Sequence, residues 1–106
     1  MTDNFDIQVQ RNLQGQRFEK EGKQSEAIQL YEANVAESFE GSFPYSRLAV
    51  IYRKQRRYSE EIRILKAVVT LYQDLLQSSP RRDVNPKLIK FLDRLEKAKS
   101  KANKVQ

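Results

Sequence analysis

The chain has 106 residues with 3 Gly, 3 Pro, 32% charged and 39% hydrophobic residues, and a formal net charge of +6. That describes a small helix-rich globular protein rather than a sheet protein, a collagen or a disordered tail. Cys and His are both absent, which excludes disulfides, zinc fingers, thiol nucleophiles and imidazole bases, and most metal and hydrolytic chemistry with them. The expectation is a single all-α domain over residues 1–106, of about five helices, non-enzymatic, with no metal and no cofactor.

The opening MTDNFDIQVQ is acidic and polar where a secretory signal needs a basic cap followed by an apolar run. The longest uninterrupted apolar run is Leu48 to Tyr52, far below the roughly 18 residues that span a bilayer. A cytoplasmic protein with no membrane partner is expected.

Sliding the chain by 34 residues sets FEKEGKQSEAI (18–28) against YRKQRRYSEEI (52–62). Phe18 meets Tyr52, Lys20 meets Lys54, Ser25 meets Ser59 and Ile28 meets Ile62, with Gly15 against Ala49 upstream. Each copy carries an amphipathic segment, a polar turn (EGKQ at 21–24, QRRY at 55–58), and a serine followed by acids. Ser25 and Ser59 are predicted to cap second helices whose first turns hold Glu26, Glu60 and Glu61. The first copy covers about residues 8–40 and the second about 42–77.

In the second copy, Pro44 suits an opening helical turn. Tyr45, Leu48, Ala49 and Tyr52 then fall at i, i+3, i+4, i+7, one helical face. The following helix places Ile62, Leu65, Val68, Val69, Tyr72, Leu75 and Leu76 on its own face. SSPRRDVNP (78–86) reads as a loop, with Asn85 as a cap before a first-turn proline. A last helix over about 86–103 aims Leu88, Phe91, Leu92, Leu95, Ala98 and Ala102 inward.

Gly15, Phe18, Gly22, Ala27 and Tyr31, with Tyr45, Leu48, Ala49, Tyr52, Tyr58 and Leu65, resemble the signature positions of tetratricopeptide repeats, whose period is 34 residues. The likeness covers about residues 8–75. It departs at Arg11 and Gln14, at Asn34 where alanine is usual, and at Glu61 where a small residue is usual. The resemblance implies antiparallel helix-turn-helix repeats closed by a C-terminal capping helix, and a function in protein–protein interaction.

In that family the first helices of successive repeats line a concave groove. The helical face left over here holds Val9, Leu13, Gln16 and Lys20 in one copy and Phe43, Arg47, Val50 and Lys54 in the next. A peptide could lay apolar anchors on Leu13, Phe43 and Val50, with Arg47 and Lys54 meeting carboxylates. The same stripe would serve as well as a face buried against another helix. Two repeats are a short array, so a homodimer is a further expectation.

Charge is uneven along the chain. Residues 1–41 carry 4 basic and 8 acidic groups, 42–80 carry 7 and 3, and 81–106 carry 9 and 3. On the last helix Lys87, Lys90, Arg94, Lys97, Lys101 and Lys104 step by 3, 4, 3, 4, 3 and so share one face, with Arg81 and Arg82 just before it. Such a face either stays solvated or contacts phosphates in a salt-sensitive way. The leading expectation is thus an adaptor, regulator or inhibitor that binds a protein or peptide, and the alternative is a small nucleic-acid-binding protein. Glycine-rich phosphate or dinucleotide loops are absent.

Overall fold

The computed structural model describes residues 4–104. Five α-helices follow one another: α1 (Asn4–Lys20), α2 (Gln24–Ala36), α3 (Phe43–Lys54), α4 (Tyr58–Ser78) and α5 (Val84–Lys104), with no strand among the described residues. The all-α expectation holds. The chain divides into two compact units, one ending at Leu48 and the other starting at Ala49, so the boundary falls within α3.

The 34-residue offset returns in the turns. α1 ends at Lys20 and α3 at Lys54; α2 starts at Gln24 and α4 at Tyr58. After α1, Gly22 takes a left-handed φ of 76°, Gly22 N–H donates to Glu19 O, and Lys23 N–H donates to Phe18 O at 2.8 Å. After α3, Arg56 takes φ 58°, Arg56 N–H donates to Arg53 O, and Arg57 N–H donates to Tyr52 O at 2.8 Å. Both are Schellman closures, which satisfy the last helical carbonyls. Each also lays a cation over an aromatic ring, Lys23 on Phe18 at 5.9 Å and Arg57 on Tyr52 at 4.7 Å.

These closures shift the helix starts. Lys23 and Arg57 occupy the N-cap positions and make no side-chain cap bond, so Ser25 and Ser59 sit inside the first turn and do not cap. A tight closure runs straight into the next helix and leaves no room for a serine cap two residues later. At α5 the start also moves, to Val84, with Lys87 N–H donating to Asp83 O. Asn85 and Pro86 are both helical there, so Asn85 is not the cap.

In the unit ending at Leu48, α1 packs on α2 with little apolar burial of its own. Its buried residues are Gln8 and Gly15. Gly15 is required because the Tyr31 ring covers it; a Cβ there would lie 2.7 Å from Tyr31 Cζ. Asn34, fully buried on α2, donates from Nδ2 to Gln8 O at 2.8 Å and to Asn12 Oδ1 at 2.9 Å, and accepts from Arg11 Nη1 at 3.1 Å. Glu37 Oε1 accepts from Gln8 at 3.0 Å and Arg11 at 2.8 Å. Beyond α2, Phe39 stacks on Phe5, and its carbonyl accepts from the Tyr45 hydroxyl at 2.8 Å.

In the unit from Ala49 on, α4 and α5 pack together. α4 buries Glu61, Ile64, Leu65, Val68, Val69, Tyr72 and Leu75, and α5 buries Val84, Leu88, Phe91, Leu95 and Ala98. Steps of 4, 3, 4, 3 along α5 give one narrow seam. Tyr72 and Phe91 meet edge to face, centroids 5.9 Å apart. Leu92, expected in this seam, is 39% exposed because it lies one residue, about 100°, around from Phe91. Leu76 stands near the end of α4 and is exposed as well, while Ile62 is only partly covered.

Candidate partner-binding groove and basic face

Four stripe residues named from the sequence converge. Gln16 and Lys20 from α1, and Phe43 and Arg47 from α3, line an open groove of about 330 Å³ together with Glu19. All five belong to the unit ending at Leu48. The Phe43 ring leans edge-on to Tyr31, centroids 5.7 Å apart, which fixes it at the groove wall. Leu13 on α1 is exposed. Val9 and Val50 are partly covered, and Lys54 is exposed.

Glu19 organises the groove's charge. Its carboxylate accepts from Arg47 Nη2 at 2.6 Å and Nε at 3.1 Å, and from the Tyr31 hydroxyl at 2.6 Å. A planar guanidinium matched to both carboxylate oxygens is a strong, orienting pair. The bond to Glu19 raises the Arg47 pKa, and burial, then the Glu19 bond, push the Tyr31 phenol well above its usual range. Arg47 therefore already holds a carboxylate, and Lys20 is the exposed cation of the groove. Glu19 escapes a reading by spacing because Tyr31 and Arg47 reach it from other helices. A second open hollow, of about 510 Å³, runs along α1 past Asp6, Ile7 and Gln10.

The basic stretch from Arg81 onward sorts into engaged and open groups. Asp83 binds Arg81 through two nitrogens at 3.0 and 2.9 Å, and Lys87 at 2.9 Å. Those bonds, Arg81 first, hold the Asp83 carboxyl well below the usual range and raise Arg81. Arg81 also lies over the Tyr72 ring, and Arg94 over Phe91. Lys97 pairs with Asp93 at 2.9 Å with both side chains exposed, a weak tie. Arg82, Lys90, Lys101 and Lys104 stand exposed.

At the end of α5, Lys97, Ser100, Lys101 and Lys104 join Arg53 of α3 around an open cleft of about 460 Å³. Arg53 was not singled out from the sequence, since nothing in its local spacing ties it to α5. Nearby, the Glu61 side chain is buried, Oε1 has no hydrogen-bond partner among the described residues, and Arg53, Arg94 and Lys101 are the charges that act on it. Among the described residues no group of three or more His, Cys, Asp or Glu could hold a metal ion. None of their helices is long and apolar enough to cross a membrane.

These features define an all-α protein with a mixed polar and aromatic groove in its first unit and a cationic cleft in its second. No protein-family model, curated protein or solved structure matches the chain.

Proposed function

We propose that the chain is a cytoplasmic, non-enzymatic interaction module of the tetratricopeptide type, acting as an adaptor, regulator or inhibitor that binds a peptide or helical segment of another protein. The observation that carries this reading is the convergence of Gln16, Lys20, Phe43 and Arg47 on one open groove. The recurrence of helix ends, turn closures and cation–ring contacts at an offset of 34 residues supports the repeat assignment. A bound segment would set an apolar side chain against Phe43 and Leu13 and an acidic one near Lys20.

The test places a photo-crosslinking side chain at Leu13 or Phe43, with a control at Lys66. The expected result is a distinct protein adduct from the groove positions alone, persisting at high salt and reduced about tenfold by Leu13→Asp, the scale of one buried apolar anchor. A second copy of this chain as the adduct would redirect the reading to a homodimer. Equal labelling from Lys66 would overturn the groove assignment.

A further inference from the structure

The cleft at the end of α5 is built differently from an ordinary solvated helix face. Four of its five lining residues are cations drawn from two helices, and no carboxylate lines it. Among the described residues, Arg53, Lys101 and Lys104 have no acid within ion-pair distance, in contrast to Arg81 and Lys87, which Asp83 occupies. The negative group that does act on Arg53 and Lys101 is Glu61, buried beneath the surface and paired with neither.

From this end cations continue along α5. Lys90, Lys97, Lys101 and Lys104 share one face, Lys97 with an exposed tie to Asp93, and Lys90 to Lys104 spans about 21 Å at the helical rise. A row of cations along one helix suits a linear polyanion, and the concave end, which no carboxylate lines, admits a group that projects from it. Tyr52 carries Arg57 over its ring, and no aromatic lines the cleft, so bases would find no stacking platform there.

We propose that the cleft formed by Arg53, Lys97, Ser100, Lys101 and Lys104 is a binding site for the phosphodiester backbone of a nucleic acid, held by charge and hydroxyl contacts without base readout. Arg53 and Lys101 take the phosphate oxygens, Ser100 donates its hydroxyl, and Lys97 and Lys104 flank them. Sequence preference is therefore weak and salt dependence steep.

The experiment measures fluorescence anisotropy of a labelled single-stranded RNA 20-mer and of a duplex DNA with the full chain. Neutralising about four phosphates gives a log–log salt slope near −3 on the single strand, roughly a 50-fold loss of affinity between about 50 and 200 mM salt. The triple variant Arg53→Gln, Lys101→Gln, Lys104→Gln should lose about tenfold or more at low salt. The equally discharged Arg17→Gln, Lys23→Gln, Lys66→Gln should keep most of the affinity. All six positions are exposed, and helicity by circular dichroism checks both variants. The two probes separate RNA from DNA as the source of the backbone. Equal losses in the two variants, competition by polyglutamate as effective as by RNA, or binding to anionic vesicles but to neither nucleic acid would each overturn the assignment.

Discussion

Glu61 puts a carboxyl group where only 4% of the residue meets solvent, with an oxygen that receives no hydrogen bond among the described residues. Burial raises its pKa, and the attraction of Arg53, Arg94 and Lys101 offsets only part of that rise. The folded chain thus holds this proton more tightly than the unfolded chain does. The resulting stability is fully present below the unfolded value of about 4.3 and is lost as pH rises through the folded pKa. Glu37, Glu60 and Asp83, depressed mainly by Arg11, Arg63 and Arg81 respectively, act in the opposite sense on acidification. Comparing Glu61→Met with the parent isolates the first effect. The variant should be more stable by about 1 kcal/mol at pH 7, the scale of relieving an unsatisfied buried acceptor, and the gain should shrink toward pH 4. Urea unfolding across that range measures it; a constant or absent difference refutes it. At this scale the sequence was partly legible. Glu61 stood out as a large acid where the repeat pattern has a small residue, but its burial depends on how far α4's covered face extends, and one acid beside another reads equally well as a helix start.

Among the elements, α4 and α5 were the easiest to read and α1 the hardest. Apolar side chains at steps of three and four mark α4 and α5, and their seams appear largely where that period puts them. On α1 the buried residues are Gln8 and Gly15, and its attachment runs through Asn34, Glu37 and the Tyr31 ring. No hydrophobic period announces such a contact. Asn34, which departs from the repeat pattern, is the residue that joins α1 to α2, because an amide can donate and accept at once. Helix starts were misplaced by a residue or two, since Schellman closures displaced the serine caps. A helix held by polar contacts has little apolar burial to resist local opening. Hydrogen exchange should therefore find the α1 amides less protected than those of α4. Asn34→Ala, which removes the buried amide's bonds to Gln8 O, Asn12 Oδ1 and Arg11, should cost about 1–3 kcal/mol and raise exchange in α1 before α4 and α5. Uniform protection across all five helices, or an Asn34→Ala effect spread evenly over them, contradicts this.

For the whole molecule, charge polarity was legible from composition alone, and the division into units sharpens it. Up to Leu48 the chain has 5 basic and 8 acidic residues, net −3; from Ala49 on it has 15 and 6, net +9. Opposite charge on two units of one chain permits attraction between copies, the acidic unit of one toward the basic unit of the next. Such attraction acts over about 10 Å at 0.1 M salt and over about 3 Å at 1 M. Association driven by the exposed apolar residues Leu13, Leu76 and Ile89 would respond the other way, because excluded salts strengthen apolar burial. Light scattering coupled to size exclusion distinguishes the two. At about 50 mM salt the mean mass should exceed the 12.5 kDa of one chain and rise with concentration, and at about 500 mM it should return to that value. A mass that holds or grows with added sulfate would assign self-association to the apolar residues, and a single-chain mass at low salt would leave the charge polarity to act on other partners alone.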